Sequence, residues 1–228
     1  MQNLFNKIIK ISIYLLVFLL PLFWLPFTFE AFEFNKQYLL FFLVSLAFFA
    51  WIAKMTLVDK EIRFKRTPLD IPVLAFLFIA ILSTIFSADK GSSLFGFYGR
   101  FSDGLIGLLS LGIFYFLITN NTQINTDRNT DKHRLNVSGI LKAFLWSSFF
   151  TILLSYLSAF GIWAKLQSLT GLKLPFVMLQ GTFNPTSGSM EGLAVFLSIL
   201  AVLIVRQICF FKWTPTPPPP SRFQRAPF

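Results

Sequence analysis

Charge is scarce in this chain. Asp, Glu, Lys and Arg make up 13% of its 228 residues, about half the roughly 25% carried by a soluble globular domain. Cysteine is nearly missing: Cys209 stands alone inside an apolar run, which excludes an intrachain disulfide and any metal site built on cysteines. His133 is the single histidine, in a polar stretch beside Asp131, Lys132 and Arg134. A solvated loop residue is the expectation there, ahead of a ligand or a base. Walker loops, dinucleotide fingerprints, nucleophile–base pairs and metal-ligand clusters are all lacking, so neither a cofactor nor a metal is expected. The RNP, zinc-finger and helix-turn-helix patterns are lacking too, so the net charge of +10 does not point to nucleic acid.

What is present in quantity is apolar and aromatic: 55% hydrophobic residues, 18% aromatic, 31 of them Phe. A bilayer core of ~30 Å needs about 20 apolar residues in a helix. Six runs approach that length, over about 8–29, 37–55, 71–87, 104–119, 139–163 and 189–211. They are apolar all round and lack the alternation of barrel strands, which reads as helices facing lipid and one another. The expected fold class is therefore all-α: a polytopic integral membrane helical bundle of about six transmembrane helices. It fills residues 1–212, followed by a Pro-rich, disordered cytoplasmic tail over 213–228. The first run is too long for a signal peptide and no small-residue cleavage site follows it, so it is expected to be retained, with a kink near Pro21 and Pro26.

The positive charges orient the chain. With the N-terminus in the cytoplasm, fifteen of the 20 Lys and Arg fall inside and only Lys36, Lys90, Arg100, Lys165 and Lys173 fall outside. This is the positive-inside bias of an inner-membrane protein. Three segments then lie outside: a short link near 30–36, a glycine-aromatic loop at 88–103, and a longer stretch at about 164–188. The start of the last should lie along the membrane surface, with Leu166, Leu169, Leu172 and Leu174 toward lipid.

Charged residues at the membrane are the ones to weigh. Arg100 sits in SLFGFYGRFSDGL, residues 93–105, among Gly96, Gly99, Gly104, Phe95, Phe97, Tyr98 and Phe101. Two readings stay open. Arg100 pairs with Asp103 inside an aromatic belt, or its guanidinium presents a bidentate fork to a phosphate. Glu191 is open in the same way, as an acid favoured in the first turn of the sixth helix or as a functional carboxylate. Arg206 near the inner end of that helix should snorkel.

Residues 66–110 resemble the N-terminal half of the O-antigen ligase/polymerase superfamily. The resemblance rests on Leu69-Asp70, Ser83 and Phe86-Ser87 in the third run. These lead into Gly96 and Arg100 of a G-x-x-x-R-x-x-G pattern whose last glycine, Gly104, comes one position late. The opening LLPLFWLPFTFEAFEFNKQYLLFFL is similar to that family's first hairpin. Residues 181–197, GTFNPTSGSMEGLAVFL, resemble its G-T-F-x-N-P-N segment but lack the glycine before Asn184.

The resemblance spans about residues 10–205. It implies a bacterial inner-membrane protein that works on glycan linked to undecaprenyl diphosphate, without a metal. Its partners would be the lipid bilayer and that lipid-linked glycan. Arg100, Lys90, Tyr98, Asp103, Asn184 and Glu191 are the implied contacts with the donor diphosphate or glycan. The family's catalytic Arg and His lie in a large outer loop of the C-terminal half, which has no counterpart here. The expectation is thus an N-terminal fragment with no catalytic residue of its own. A six-helix transporter or scaffold without catalysis is the alternative.

Overall fold

The computed structural model of the chain describes residues 2–26, 28, 30–59, 65–123, 135–171, 175–179 and 181–213. His133, Lys173, Leu172, Leu174 and the Pro-rich tail from 214 onward lie outside the described residues.

Nearly everything described is helix. In chain order the helices are α1 (Gln2–Leu22), α2 (Glu33–Lys54, continued by a π turn at Met55–Asp59), α3 (Asp70–Ile85), α4 (Lys90–Phe95), α5 (Leu105–Asn121), α6 (Val137–Ala159), α7 (Ile162–Thr170), α8 (Phe176–Leu179) and α9 (Met190–Trp213). The exceptions to helix include two short strands, Thr122–Gln123 and Leu135–Asn136, which pair in parallel. Among the described residues four helices are long and apolar enough to cross a membrane: Gln2–Leu22, Glu33–Val58, Val137–Ala159 and Met190–Cys209. α3 and α5, with 16 and 17 residues, reach only about 24–26 Å at 1.5 Å per residue.

Two boundaries differ from expectation, each for a local reason. The first run was expected to stay helical to about residue 29 with a kink; α1 instead stops at Leu22. Pro21 has no N–H to donate, and the last link of the ladder is Phe23 N to Leu19 O at 2.7 Å. Pro26 falls in the turn beyond. The fifth run, expected to reach residue 163, breaks at Ala159 because Gly161 adopts φ +65° and turns the chain into α7.

The core forms where α1 and α2 pair as an antiparallel hairpin. Ile9, Ser12, Ile13 and Leu16 on α1, and Leu40, Leu43, Val44, Ala47, Ala50 and Trp51 on α2, repeat at helical spacing and are buried. α6 packs on α1, α5 on α2, and α3 on the far side of α5, which gives a lateral order of α6, α1, α2, α5, α3. Lipid offers no hydrophobic drive between helices, so the α1–α6 seam uses small and polar groups. Ser147, Ser148, Thr151 and Ser158 are buried along one face of α6. Ser147 Oγ donates across the seam to Phe18 O at 2.6 Å. A Cβ on Gly139 would lie 2.2 Å from the Tyr14 hydroxyl oxygen.

At the end of the bundle where α3 begins, Asp70 joins two helices. Its carboxylate accepts from Thr67 N (2.7 Å), Thr67 Oγ1 (2.6 Å) and Tyr115 Oη of α5 (3.0 Å). Two substitutions check the α1–α6 seam by thermal unfolding of the purified chain in detergent. Ser147→Ala should cost about 0.6–1.7 kcal/mol, the scale of an interhelical hydrogen bond in a membrane. Gly139→Val should cost more, because it must displace the Tyr14 ring as well.

Candidate functional site

Three irregular segments meet at the opposite end of the bundle: the α1–α2 connection, the stretch from α3 to α5, and the stretch from α6 to α9. The first turn of α2 organises all three.

Asn35, 5% exposed, gathers the α1–α2 connection. Its Nδ2 faces Thr28 Oγ1 at 2.7 Å, the carbonyls of Glu30 and Ala31 at 3.0 Å each, and that of Leu25 at 3.3 Å. The amide has two hydrogens to share among these four acceptors, and the connection adds donors of its own: Thr28 Oγ1 lies 3.0 Å from Leu25 O and 2.8 Å from Glu30 O, and Leu25 N donates to Ala31 O at 3.1 Å.

The second segment is held by a cap and by glycines. Asp89 Oδ1 accepts from Gly91 N (3.0 Å) and Ser92 N (3.3 Å), and Oδ2 from Ser92 Oγ (2.6 Å), which starts α4. The Ser92 bonds, side chain first, hold the Asp89 carboxyl below the usual carboxylate range. The chain then turns through Gly96 (φ +81°) and Gly99 (φ +82°), with Arg100 N bonded to Phe97 O at 2.8 Å. A Cβ on Gly96 would lie 2.6 Å from Arg100 O, and one on Gly104 would lie 2.5 Å from Gly96 N. Backbone therefore packs directly on backbone at both glycines, and the loop closes on itself. Phe101 anchors it edge-on to Phe34 of α2, with ring centroids 5.2 Å apart.

Arg100 sits at the tip of this closed loop. Its Nη1 is 3.9 Å from Asp103 Oδ2, and the two side chains are 69% and 59% exposed. The pair foreseen as one of the two readings is thus present, but it is long and wet, the kind worth little. It leaves the guanidinium open to solvent. Glu33, the first residue of α2, lies within electrostatic reach of Glu30, Asp103, Lys36 and Arg100. One carboxylate oxygen each of Glu30 and Glu33, and the Gln37 amide nitrogen, are buried without a partner.

The third segment is sunk into the fold. Phe183, 2% exposed, packs edge-on against Trp24 at 5.0 Å and tilted against Phe32 at 6.2 Å. Asn184 is 0% exposed. Its Oδ1 accepts from Thr186 Oγ1 (2.6 Å) and Ser187 N (3.1 Å), and its Nδ2 donates to Ser189 O (2.8 Å). Lys36 reaches this segment from α2, donating to Pro185 O at 2.5 Å and to Thr186 O. Glu191 is exposed in the first turn of α9, beside the Ser189 Oγ that accepts from Gly192 N at 3.2 Å.

The six residues singled out in the sequence thus separate into classes. Arg100 and Asp103 are brought together; Lys90 and Tyr98 share their segment with exposed side chains. Glu191 occupies a position that helix electrostatics alone would favour. Asn184 does not face a surface: its side chain serves the turn it belongs to, so here it is a positioning residue. Lys36, Asn35 and Glu33 were missed. A faint signal existed for Lys36, since a cation in the first turn of a helix opposes the macrodipole and calls for a local reason. Among the described residues no group of three or more His, Cys, Asp or Glu is placed to hold a metal ion.

The loop makes a sharp contrast testable by thermal unfolding. Gly104→Ala should destabilise the chain by about 1–3 kcal/mol, because backbone must move to admit the methyl group. Arg100→Ala should leave the melting temperature unchanged.

Compared with known protein families, characterised proteins and solved structures, the chain matches none.

Proposed function

We propose that this chain is a bacterial inner-membrane protein of the O-antigen ligase/polymerase kind that contacts a polyprenyl-diphosphate-linked glycan through Arg100. The observation that carries the reading is the state of that side chain. Arg100 is held at the tip of a loop whose backbone is fixed by Gly96 and Gly104, yet its head is 69% exposed and only loosely paired. A fixed backbone under an unengaged guanidinium suits recognition of phosphate oxygens at a membrane surface. Asp103 and Glu33 set the charge near Arg100; in this reading Lys90, Tyr98 and Glu191 are further contacts of the glycan or diphosphate. No catalytic role is assigned to any of them.

Two further statements belong to this proposal. Six spans are made by adding α3 and α5 to the four long helices, with the local bilayer thinned or their ends buried among neighbours. The end that carries Arg100 faces the periplasm, and the N-terminus is cytoplasmic, as the Lys and Arg distribution favours. Reporter fusions after residue 60 should then read cytoplasmic, and fusions after residue 95 periplasmic. The reverse pattern would place Arg100 on the wrong side for an exported lipid-linked glycan.

Binding of a polyprenyl-diphosphate analogue to the purified chain in nanodiscs is the direct test. Arg100→Ala should weaken it by roughly 1–3 kcal/mol, the scale of a charge-assisted hydrogen bond. Equal affinity of parent and variant would remove Arg100 from the site. No binding by either would favour a membrane scaffold or transporter.

A further inference from the structure

α9 is attached to the rest of the protein unlike any other long helix. Leu200 is its one buried residue among those described, and Phe196 meets Phe144 of α6 edge-on at 5.8 Å. α1 and α2, by contrast, each bury a full stripe. The segment leading into α9 is where the attachment lies. There Phe183 is sandwiched by Trp24 and Phe32, and Gly188, at φ +71°, lets the Phe32 ring approach to 2.5 Å from the place a Cβ would take. These contacts are apolar and non-directional. A directional contact among the described residues is that of Lys36, whose ammonium holds the Pro185 and Thr186 carbonyls.

We propose that Lys36 is a latch: it fastens the 184–186 turn to the α1–α2 hairpin, and its release lets α9 swing away from α6. Three features favour a latch over a plain structural bond. The acceptors are two carbonyls of a single turn, so losing one side chain undoes both bonds. The ammonium sits in the first turn of α2, where the helix dipole disfavours a cation, so the net strength of the contact is held down. Among the described residues the helix it restrains buries only Leu200. Hinged elements of membrane and soluble proteins share this pattern of a well-tied end and a loosely packed body.

The test uses the full chain in nanodiscs, in a Cys209→Ser background, with paired spin labels read by double electron–electron resonance. One pair, at Lys142→Cys on α6 and Val205→Cys on α9, reports the swing. A second pair, at Lys142→Cys and Ile11→Cys on α1, reports the rest of the bundle. In Lys36→Met the α6–α9 distribution should broaden and move to longer distance while the α1–α6 distribution stays as in the parent. Lys36→Gln, which keeps a donor but no charge, should give an intermediate shift. Unchanged distributions in Lys36→Met would overturn the latch. So would loss of both pairs in both variants, because Lys36 would then be a requirement of the whole fold.

Discussion

Backbone that crosses hydrocarbon has no water to bond with, so each N–H and C=O must find its partner within the protein. The long helices meet this demand along their own axes, and the polar side chains inside them follow suit. Ser110, Ser148, Thr151 and Ser155 all donate to the carbonyl four residues earlier. The demand becomes acute where the chain leaves a helix without leaving the protein. Three such places meet around the first turn of α2, and each is served by one or two buried or capping side chains. Asn35 serves the α1–α2 connection, Asp89 the start of α4, and Asn184 with Lys36 the segment before α9. The polar composition of this end follows from that bookkeeping before any function is considered.

Glycine meets the same demand by another route. Where two backbones must touch, the Cβ is what prevents it, and Gly96 against Gly104 removes the obstacle on both sides. The result is a loop of few residues that needs no solvent to be rigid. The spacing noted between Gly96, Arg100 and Gly104 thus has a structural explanation that is independent of any ligand: the glycines shape the loop, and Arg100 rides on it.

The helices were legible because composition alone excludes other solutions for runs so long and so apolar. Their ends were less legible. Pro21 terminates α1, where a kink was the expectation, and Gly161 divides a run whose hydrophobicity shows no interruption. Both are decisions of single residues against a uniform background. At the loop end, Arg100 with Asp103 was visible as a short-range charge pattern. Lys36 was not, because its partners are carbonyls about 150 residues away in the chain, and a carbonyl has no signature in a sequence. Asn184 was a candidate contact through the G-T-F-x-N-P-N resemblance, and an amide amid Gly, Pro, Thr and Ser reads alike whether it binds a ligand or closes a turn.

The distinction that matters for function is therefore between polar groups already committed to the fold and those left uncommitted. Asn35, Lys36, Asp89 and Asn184 are committed, and replacing any of them should be felt first as a change in structure. Arg100, with Lys90 and Glu191, presents an exposed head. An Arg side chain loses rotamer freedom whenever it is held, and here its ion-pair contact among the described residues is a 3.9 Å approach to an exposed carboxylate, with Glu33 within electrostatic reach. A rigid backbone carrying a loosely held guanidinium concentrates the ordering cost of binding in one side chain rather than in a loop. Under the proposed function, a fork of two hydrogen bonds to a phosphate would then keep most of its strength. Under the same proposal Arg100, at the tip of the closed glycine loop, is the better candidate than Lys90, which opens the six-residue helix α4 beside its Asp89 cap.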